Sequence, residues 1–332
     1  MGEQSMKKAR IIGLGSYLPA RVLSNQDLEK IVDTTDEWIT TRTGIKERRI
    51  AADDEAASDM GAAAGRKALH DAGLTPADVD LILVCTMTPD HLCPSTAAII
   101  QHKLGTPHIP AFDMQAACTG FLYGLSAAKA YVESGLARHV LLIATEMMSS
   151  VMDYTDRATC VLFGDGAAAV VVSTKGKGLA IDTVSLGADG ELGHLIIIPG
   201  GGSRNPTSLH TVAEKLHYFS MNGKEVFKHA VRRMRSAANT CLSAAGLTEK
   251  EISWIVPHQA NIRILEALAK SFEIPDERVY KTIHKYGNTS GSGVAIALDE
   301  LVQENALKKG EHLLLVAFGG GLTWGAAVLT QT

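Results

Sequence analysis

Apolar residues along this chain form two patterns, short continuous runs and longer stretches with helical spacing. The short runs are typical of buried strands, and the clearest of them lie at 79–84, 139–144 and 312–317. Segment 223–245 instead repeats apolar residues at helical spacing, including Val226, Ala230 and Met234. This spacing predicts an amphipathic helix. Strands that alternate with helices in this way indicate layered α/β units.

The pattern repeats at an offset of 173 residues. An Ala-Gly-Leu-Thr segment occurs at 72–75 and again at 245–248, and a strand-like run follows each copy. The same offset relates the run that begins at His139 to the run that begins at His312. Each half then reaches a Phe-Gly-x-Gly segment before another strand. Several matches in the same order predict a duplication, and we place the two halves at 1–178 and 179–332.

Composition and charge narrow the class of protein. Apolar residues make up 46% of the 332 residues and charged residues 20%, which is ordinary for a soluble globular enzyme. The formal net charge of −4 argues against a nucleic-acid binder. The apolar runs are too short to span a bilayer, and the N-terminus lacks the charged and apolar regions of a signal peptide. We therefore expect a cytoplasmic protein without a membrane partner.

The cysteines do not indicate a disulfide framework or a metal site. There are five of them, without a CxxC pair, which favours a reducing compartment. They are Cys85, Cys93, Cys118, Cys160 and Cys241. Neither HExxH nor clustered His and Asp spacing occurs, so the sequence predicts no metal.

Cys118 is the candidate nucleophile. It follows the apolar segment 112–117 and precedes a helix-like run at 122–132. A thiol at the first turn of a helix faces unpaired N–H groups and the positive end of the dipole, which favour the thiolate. By itself, a cysteine in an alanine-rich stretch is more often a small buried hydrophobe.

Two later polar segments contain His258 and Asn288. Each has an ordinary alternative, since histidines are often hydrogen-bonded in a core and asparagines often form turns. However, both residues and Cys118 lie at junctions between strands, loops and helices, where α/β folds place their chemistry. A cysteine with a distant histidine and asparagine is the set expected when an acyl group is held on sulfur.

Together these segments resemble the β-ketoacyl-acyl-carrier-protein synthase III family, the initiating condensing enzymes of bacterial fatty acid synthesis, over essentially the whole chain. The matching motifs are 15–19, 35–39, 42–45, 112–121, 163–166, 221–227, 256–261, 286–291 and 318–321. The resemblance implies an α/β thiolase-type fold with five layers, αβαβα, from two duplicated halves, and a homodimer. It also implies that Cys118 takes the acyl group of acyl-CoA, which then condenses with malonyl-acyl carrier protein. Acyl-CoA is a substrate in this reaction, and no cofactor is expected.

The resemblance also assigns roles to individual residues. His258 and Asn288 would donate hydrogen bonds to the enolate oxygen formed by decarboxylation. The backbone N–H groups of Cys118 and Gly320 would form the oxyanion hole, although glycines 319–321 also suit a plain turn. An indole and a guanidinium can enclose adenine, and a second arginine can meet phosphates. The expected CoA-binding residues are Thr34, Trp38, Arg42, Arg157, Asn222, Gly223, Phe227, Ala260 and Asn261.

The acyl pocket differs from that of many relatives. The resemblance assigns it to Cys93, Met148, Phe163 and Phe318, with segment 86–96 reaching across the dimer to close the partner's pocket. Many acetyl-preferring members have phenylalanine where this chain has Cys93. We therefore expect longer or branched primers to be accepted, unless a neighbouring side chain fills the space.

The predicted helix 223–245 is rich in basic residues. These are Lys224, Lys228, Arg232, Arg233 and Arg235, and Arg263 lies near the His258 segment. A solvated helix face is the ordinary interpretation. Because the chain is net acidic and carrier proteins are acidic, we expect Lys228, Arg232 and Arg263 to steer carrier-protein docking.

The C-terminal glycine-rich segment and the residue at position 288 distinguish this chain from enzymes with related activities. Thiolases use a second cysteine near the C-terminal glycine-rich segment, and this chain has none at 317–322. Elongating condensing enzymes have a second histidine at the position of Asn288. Two alternatives remain open: a cysteine acyltransferase or thioesterase of the same fold, and a non-catalytic scaffold, which the intact site residues disfavour.

Overall fold

The computed structural model describes residues 8–272 and 274–332, so the first residues considered for a signal peptide lie outside it. The strands are β1 (Arg10–Tyr17), β2 (Arg21–Ser24), β3 (Glu47–Ile50), β4 (Leu81–Cys85), β5 (Ala111–Met114), β6 (His139–Glu146), β7 (Gly166–Ser173), β8 (Leu179–Ala188), β9 (Ile196–Ile197), β10 (Ser220–Met221), β11 (Ile252–Pro257), β12 (His312–Gly319) and β13 (Thr323–Gln331). The helices are α1 (Asn25–Leu28), α2 (Asp36–Thr43), α3 (Ala57–Asp71), α4 (Thr96–Leu104), α5 (Gly120–Glu133), α6 (Leu209–Ala213), α7 (Gly223–Ala245), α8 (Ile262–Ser271), α9 (Ile283–Tyr286) and α10 (Gly293–Glu304).

Nine of the described strands form one mixed sheet, in the order β11-β12-β13-β8-β1-β7-β6-β4-β5. The two halves contribute equivalent strands, β4, β6, β7 and β1 from the first and β11, β12, β13 and β8 from the second. They meet where β1 pairs with β8 at Arg10 and Ile11. The pairs β4–β6 and β11–β12 are both parallel. The predicted boundary at 178 lies between β7 and β8.

Helices α5 and α10 pack between the two halves, and each contacts strands from both. Helices α3 and α4 cover the outer face of the first half, and α7 and α8 lie together on the outer face of the second. The layers in order are α3 with α4, the strands of the first half, α5 with α10, the strands of the second half, and α7 with α8. The predicted five-layered αβαβα arrangement is thus confirmed. Because the inner helices are enclosed on both sides, residues such as Leu125 and Leu298 are fully buried. No helix within the described ranges is long and apolar enough to cross a membrane.

Local sequence signals account for the helices that position the site. Helix α7 has the bounds predicted from its apolar spacing. The Asn222 side chain caps its start by accepting a hydrogen bond from the Glu225 N–H at 3.3 Å. Its apolar stripe, which includes Val226, Ala230 and Met234, is buried against the sheet. The helix predicted at 122–132 is α5, so Cys118 lies immediately before a helix as expected.

Candidate active site

Cys118 occupies a tight turn between β5 and α5. Residues Ala117–Thr119 form a 3₁₀ helix, and Ala117 has φ +46°, in the left-handed region that non-glycine residues rarely adopt. The equivalent turn of the second half, Ser290–Ser292, begins with Ser290 at φ +51° and precedes α10. The two strained turns face each other, because the Cys118 Sγ atom lies 3.6 Å from the Ser290 Oγ atom. Such strain concentrates at functional sites.

The end of β12 approaches the Cys118 backbone closely. A Cβ atom on Gly319 would lie 2.7 Å from the Cys118 nitrogen, so only glycine fits there. A Cβ atom on Gly320 would lie 3.5 Å from the Ala117 Cβ, which places the next residue beside the same turn. Within the described residues, no backbone carbonyl accepts a hydrogen bond from the N–H of Cys118 or of Gly320. Both N–H groups can therefore donate to a ligand, and their role as an oxyanion hole stays a prediction.

His258 follows β11 at the position equivalent to Cys85 at the end of β4. Its N–H donates to the Val316 carbonyl at 2.8 Å. The neighbouring Gln259 is buried and accepts from the N–H groups of Thr282 and Ile283 at 2.9 and 3.1 Å, which fixes the loop. Burial lowers the pKa of His258 to about 4, so its imidazole is neutral near pH 7.

The two ring nitrogens of His258 have different surroundings. Nδ1 is enclosed and has no hydrogen-bond partner among the described residues, whereas the ring lines a cavity shared with Cys118. We assign the proton to Nε2, because Nδ1 has no acceptor to which it could donate. The neutral ring then offers a hydrogen-bond donor to the cavity.

Backbone hydrogen bonds fix the position of Asn288. Its N–H donates to the Leu162 carbonyl at 2.8 Å, and its carbonyl accepts from the Gly164 N–H at 3.1 Å. The side-chain Oδ1 atom accepts a hydrogen bond from the Ser290 N–H at 2.9 Å. Because the oxygen is occupied in this way, the amide Nδ2 atom remains as the group that can donate to a ligand.

The Cys118 sulfur is protonated at neutral pH, contrary to the thiolate predicted from its place before a helix. Burial raises the pKa of the Cys118 thiol to about 12, and the hydrogen bond to Ser290 acts in the opposite direction. A helix start stabilises an anion by about 1 kcal/mol, or roughly one pKa unit, which is less than the rise caused by burial. No cation among the described residues offsets this effect. To act as a nucleophile, the Cys118 thiol would therefore have to give up its proton.

The three predicted catalytic residues line one apolar cavity of about 70 Å³. Five further residues of the cavity wall were predicted from the sequence, namely Phe163, Gly223, Ala260, Asn261 and Phe318. The sequence did not predict a place in this wall for the other lining residues, which are Leu162, Ile196, Phe219, Met221, Val226, Ala230, Met234, Ile264 and Gly319. A larger surface cavity of about 910 Å³, at the end of α7, has no cysteine or histidine among its described lining residues. The small cavity is therefore the candidate active site.

The aromatic anchor predicted to hold the CoA nucleotide is flanked by both predicted arginines. The guanidinium carbons of Arg42 and Arg157 lie 4.9 and 5.2 Å from the centre of the Trp38 ring. Helix α2, which carries Trp38, packs on α8, and a Cβ on Gly44 would lie 2.7 Å from the Ile262 Cβ. This contact places Trp38, Arg42 and Arg157, together called the Trp38 cluster, beside the cavity wall.

The remaining predicted CoA-binding residues surround the start of α2 and α7. The Thr34 Oγ1 atom is buried and has no hydrogen-bond partner among the described residues. Asn222 and Phe227 lie at the exposed start of α7 but do not line the cavity itself. Their position is consistent with a longer ligand that extends outward from Cys118.

The predicted acyl-pocket residues separate into two groups. Phe163 and Phe318 line the cavity, whereas Met148 is fully buried behind Phe163. Phe219 packs against Phe163 with ring centroids 4.8 Å apart and narrows this end of the cavity. Cys93 is exposed and lies outside the wall of its own chain's cavity, so any role for it there requires a partner subunit.

The predicted docking residues Lys228, Arg232 and Arg263 are all exposed. Two other basic residues of α7 already have partners within the protein. Arg233 lies over the Trp324 ring at 4.2 Å, and Arg235 over the Phe272 ring at 4.3 Å. Both are also ion-paired, with Asp189 and with Glu249 respectively. The basic face that remains free for a partner is therefore smaller than the helix predicts.

Two polar residues near the sulfur were not predicted. Ser290 contacts Cys118, and the buried carboxylate of Glu146 at the end of β6 contacts Ser290 at 3.2 Å. Burial raises the pKa of Glu146 to about 7. The only available sequence signal was a carboxylate that closes an otherwise apolar strand.

Comparisons with known proteins agree with the family resemblance seen in the sequence. A family model described as 3-oxoacyl-[acyl-carrier-protein] synthase III matches residues 112–190, and its C-terminal counterpart matches residues 242–331. The β-ketoacyl-[acyl-carrier-protein] synthase III of Chlamydia pneumoniae is 60% identical to this chain over 98% of it and 97% of the relative. That of Caldanaerobacter subterraneus subsp. tengcongensis is 51% identical over 97% of both chains.

A solved structure gives the same result for the fold. The crystal structure of 3-oxoacyl-[acyl-carrier-protein] synthase III from Aquifex aeolicus VF5 matches with a TM-score of 0.90 at 46% identity, over 97% of this chain and 99% of that one. The predicted thiolase-type fold is therefore confirmed. Identity far above 30% over nearly the full length of both chains settles the relationship. The chain belongs to the β-ketoacyl-[acyl-carrier-protein] synthase III family.

Proposed function

We propose that this condensing enzyme transfers the acyl group of acyl-CoA to Cys118 and condenses it with malonyl-acyl carrier protein. The products are a 3-oxoacyl-acyl carrier protein, CoA and CO2. This reaction initiates fatty acid synthesis and needs no cofactor. The observation that supports it most directly is that the Cys118 sulfur and the neutral donors of His258 and Asn288 share one apolar cavity.

In the first half-reaction the Cys118 sulfur attacks the thioester carbonyl of acyl-CoA. The carbonyl oxygen becomes negative and accepts hydrogen bonds from the N–H groups of Cys118 and Gly320. Neither N–H group donates to a backbone carbonyl of the described residues. The carbon–sulfur bond to CoA then breaks, and the acyl group remains on Cys118. The Trp38 cluster would hold the nucleotide while Thr34, Asn222, Phe227 and Asn261 border the pantetheine path.

In the second half-reaction malonyl-acyl carrier protein loses CO2. The electron pair of the broken bond forms an enolate, whose oxygen accepts from His258 Nε2 and Asn288 Nδ2. The enolate carbon attacks the acyl-Cys118 carbonyl and expels the sulfur. An apolar cavity strengthens these hydrogen bonds, because little water competes for them.

The reaction is tested by mass spectrometry of the protein and the product. Incubation with acyl-CoA should add one acyl group, located on the Cys118 peptide. Addition of malonyl-acyl carrier protein should then remove it and yield the 3-oxoacyl product. Cys118→Ser should abolish the adduct while CoA binding survives. Label on Cys85 or Cys160 would contradict the assignment, and an adduct that never condenses would indicate a cysteine acyltransferase or thioesterase instead.

We further infer a homodimer. Strand β5 lies at the edge of the nine-stranded sheet, and Phe112 on it is 37% exposed. Leu92, in the segment expected to reach the partner's acyl pocket, is 91% exposed. An exposed edge strand with apolar side chains favours pairing with another chain. Light scattering should give twice the monomer mass, and Phe112→Asp should reduce it.

The partners and location follow from the same reaction. Lys228, Arg232 and Arg263 are exposed and form the proposed docking surface for an acidic carrier protein. The cysteines of the chain are free thiols. Free thiols and an acyl-CoA substrate favour a reducing cytoplasm.

A further inference from the structure

A chain of polar groups extends from the Cys118 sulfur into the protein interior. The sulfur lies 3.6 Å from the Ser290 hydroxyl, and this hydroxyl lies 3.2 Å from Oε1 of Glu146. The Glu146 carboxyl is buried, and no cation among the described residues offsets its charge. The Cys118 thiol thus has a short hydrogen-bonded path to a carboxyl group.

The Glu146 carboxyl is fixed in place by donors from two segments. Its Oε2 atom accepts from the Met87 N–H at 3.0 Å and from the Thr88 hydroxyl at 3.1 Å. Its Oε1 atom accepts from the Gly291 N–H at 3.3 Å, in addition to its contact with Ser290. The carboxyl is therefore oriented toward the hydroxyl next to the nucleophile.

We propose that Glu146, acting through the Ser290 hydroxyl, accepts the proton that leaves the Cys118 thiol as its sulfur attacks acyl-CoA. The inference rests on the nucleophilic role proposed for Cys118. As the sulfur–carbon bond forms, the thiol proton passes to Ser290 Oγ, and the Ser290 proton passes to Glu146 Oε1. CoA leaves as a thiolate and takes a proton from solvent. When condensation expels the Cys118 thiolate, the same path returns the stored proton to it.

The alternative acceptor is less suitable. His258 has an enclosed Nδ1 without a partner, and burial lowers its pKa to about 4, so it is a weak base. Burial raises the pKa of Glu146 to about 7, close to the value at which proton exchange near neutral pH is efficient. The titratable groups facing Glu146 are Cys85 on β4 and Cys118 before α5, and burial keeps both protonated. Glu146 is thus a positioning residue that works through Ser290.

The test is the single-turnover rate of Cys118 acylation as a function of pH. In the wild type the rate should rise with pH as Glu146 loses its proton, and level off above about 7. Glu146→Gln should acylate ~10²-fold more slowly and lose this inflection. Ser290→Ala and Ser290→Gly form a matched pair, because both remove the hydroxyl while only glycine suits the φ of +51°. Both should slow acylation to the same extent.

The second half-reaction separates this role from a structural one. Variants loaded with the acyl group by long incubation should release CO2 from malonyl-acyl carrier protein at the wild-type rate, because decarboxylation starts from the thioester and precedes the return of the proton from Glu146. Equal slowing of both steps, or an unchanged pH profile in the Ser290 pair, overturns the proposal. If the wild type itself shows no acyl group on Cys118, the proposed function fails instead. The Ser290 pair decides the matter if Glu146→Gln does not fold.

Discussion

Ala117 and Ser290 adopt the same left-handed backbone conformation, with φ +46° and +51°, in the two turns that meet at the candidate active site. The residue numbers 117 and 290 differ by 173, which is the offset of the sequence repeat. The duplication thus provides two strained turns before two inner helices, α5 and α10. One turn presents the Cys118 sulfur, and the other presents the hydroxyl that contacts it.

The donor from Asn288 should be essential to decarboxylation but not to acyl transfer. Asn288→Asp keeps the oxygen that accepts from the Ser290 N–H but replaces the donor with a negative charge. Loss of one such donor typically lowers kcat by about 10²–10³-fold. Release of CO2 from malonyl-acyl carrier protein measures this loss. Acylation of Cys118 serves as the internal control, and a comparable loss there would argue against the assigned role.

Trp38 should act on the nucleotide part of CoA only. Trp38→Ala removes the ring that Arg42 and Arg157 flank, and stacking of one base on an aromatic ring is worth about 1–3 kcal/mol. KM for acyl-CoA should therefore rise about tenfold or more, with little change in kcat. An acyl-pantetheine, which lacks the nucleotide, is the control substrate. If both substrates suffer equally, Trp38 has a structural role.

Charge reversal at the exposed basic residues should affect the carrier-protein step alone. Lys228→Glu with Arg263→Glu should weaken the use of malonyl-acyl carrier protein, and added salt should weaken the wild type in the same direction. Priming by acyl-CoA should be spared. Lys308→Glu with Lys309→Glu, at two exposed lysines, is the control with the same change in net charge. A loss in both half-reactions would point to a folding defect.

Primer length depends on which side chain closes the acyl cavity. If Cys93 of the partner subunit leaves space there, primers longer than acetyl or branched primers are accepted, and each buried methylene adds about 0.8 kcal/mol. Cys93→Phe should then shift kcat/KM toward acetyl-CoA. Phe219→Leu is the comparison, because Phe219 packs on Phe163 within the cavity wall. A shift with Phe219→Leu and none with Cys93→Phe would show that Phe219 fills the space.

The neutral state of His258 should make folding sensitive to acid. Its pKa in the folded protein is about 4, below the ordinary value of 6.5, so the unfolded chain binds a proton that the folded chain does not. The free energy of unfolding should therefore fall as pH drops from about 6.5 toward 4, by about 3 kcal/mol in total. Urea denaturation of wild type and His258→Gln checks this, and the variant should lose less stability. Parallel curves would show that His258 is not the responsible group.

Local patterns were sufficient to predict the framework and to select the candidate site residues. The bounds of α7 follow from its apolar spacing, because burial of one helix face requires that period. Strand β4, which holds Cys85, is a continuous apolar run, which indicates its enclosure on both faces. Cys118, His258 and Asn288 were identifiable as candidates because each sits in a short motif at a junction between elements.

Packing between distant segments decided the remaining features. Ser290 and Glu146 are 172 and 144 residues from the groups they contact, so no local pattern could pair them with the sulfur. Arg233 and Arg235 likewise form ion pairs with residues outside α7, so a local pattern could not show that they are unavailable to a partner. The protonation of Cys118 also depends on tertiary structure. A pKa reflects the solvent and charges around a group, and only the folded chain removes the water that would stabilise the thiolate.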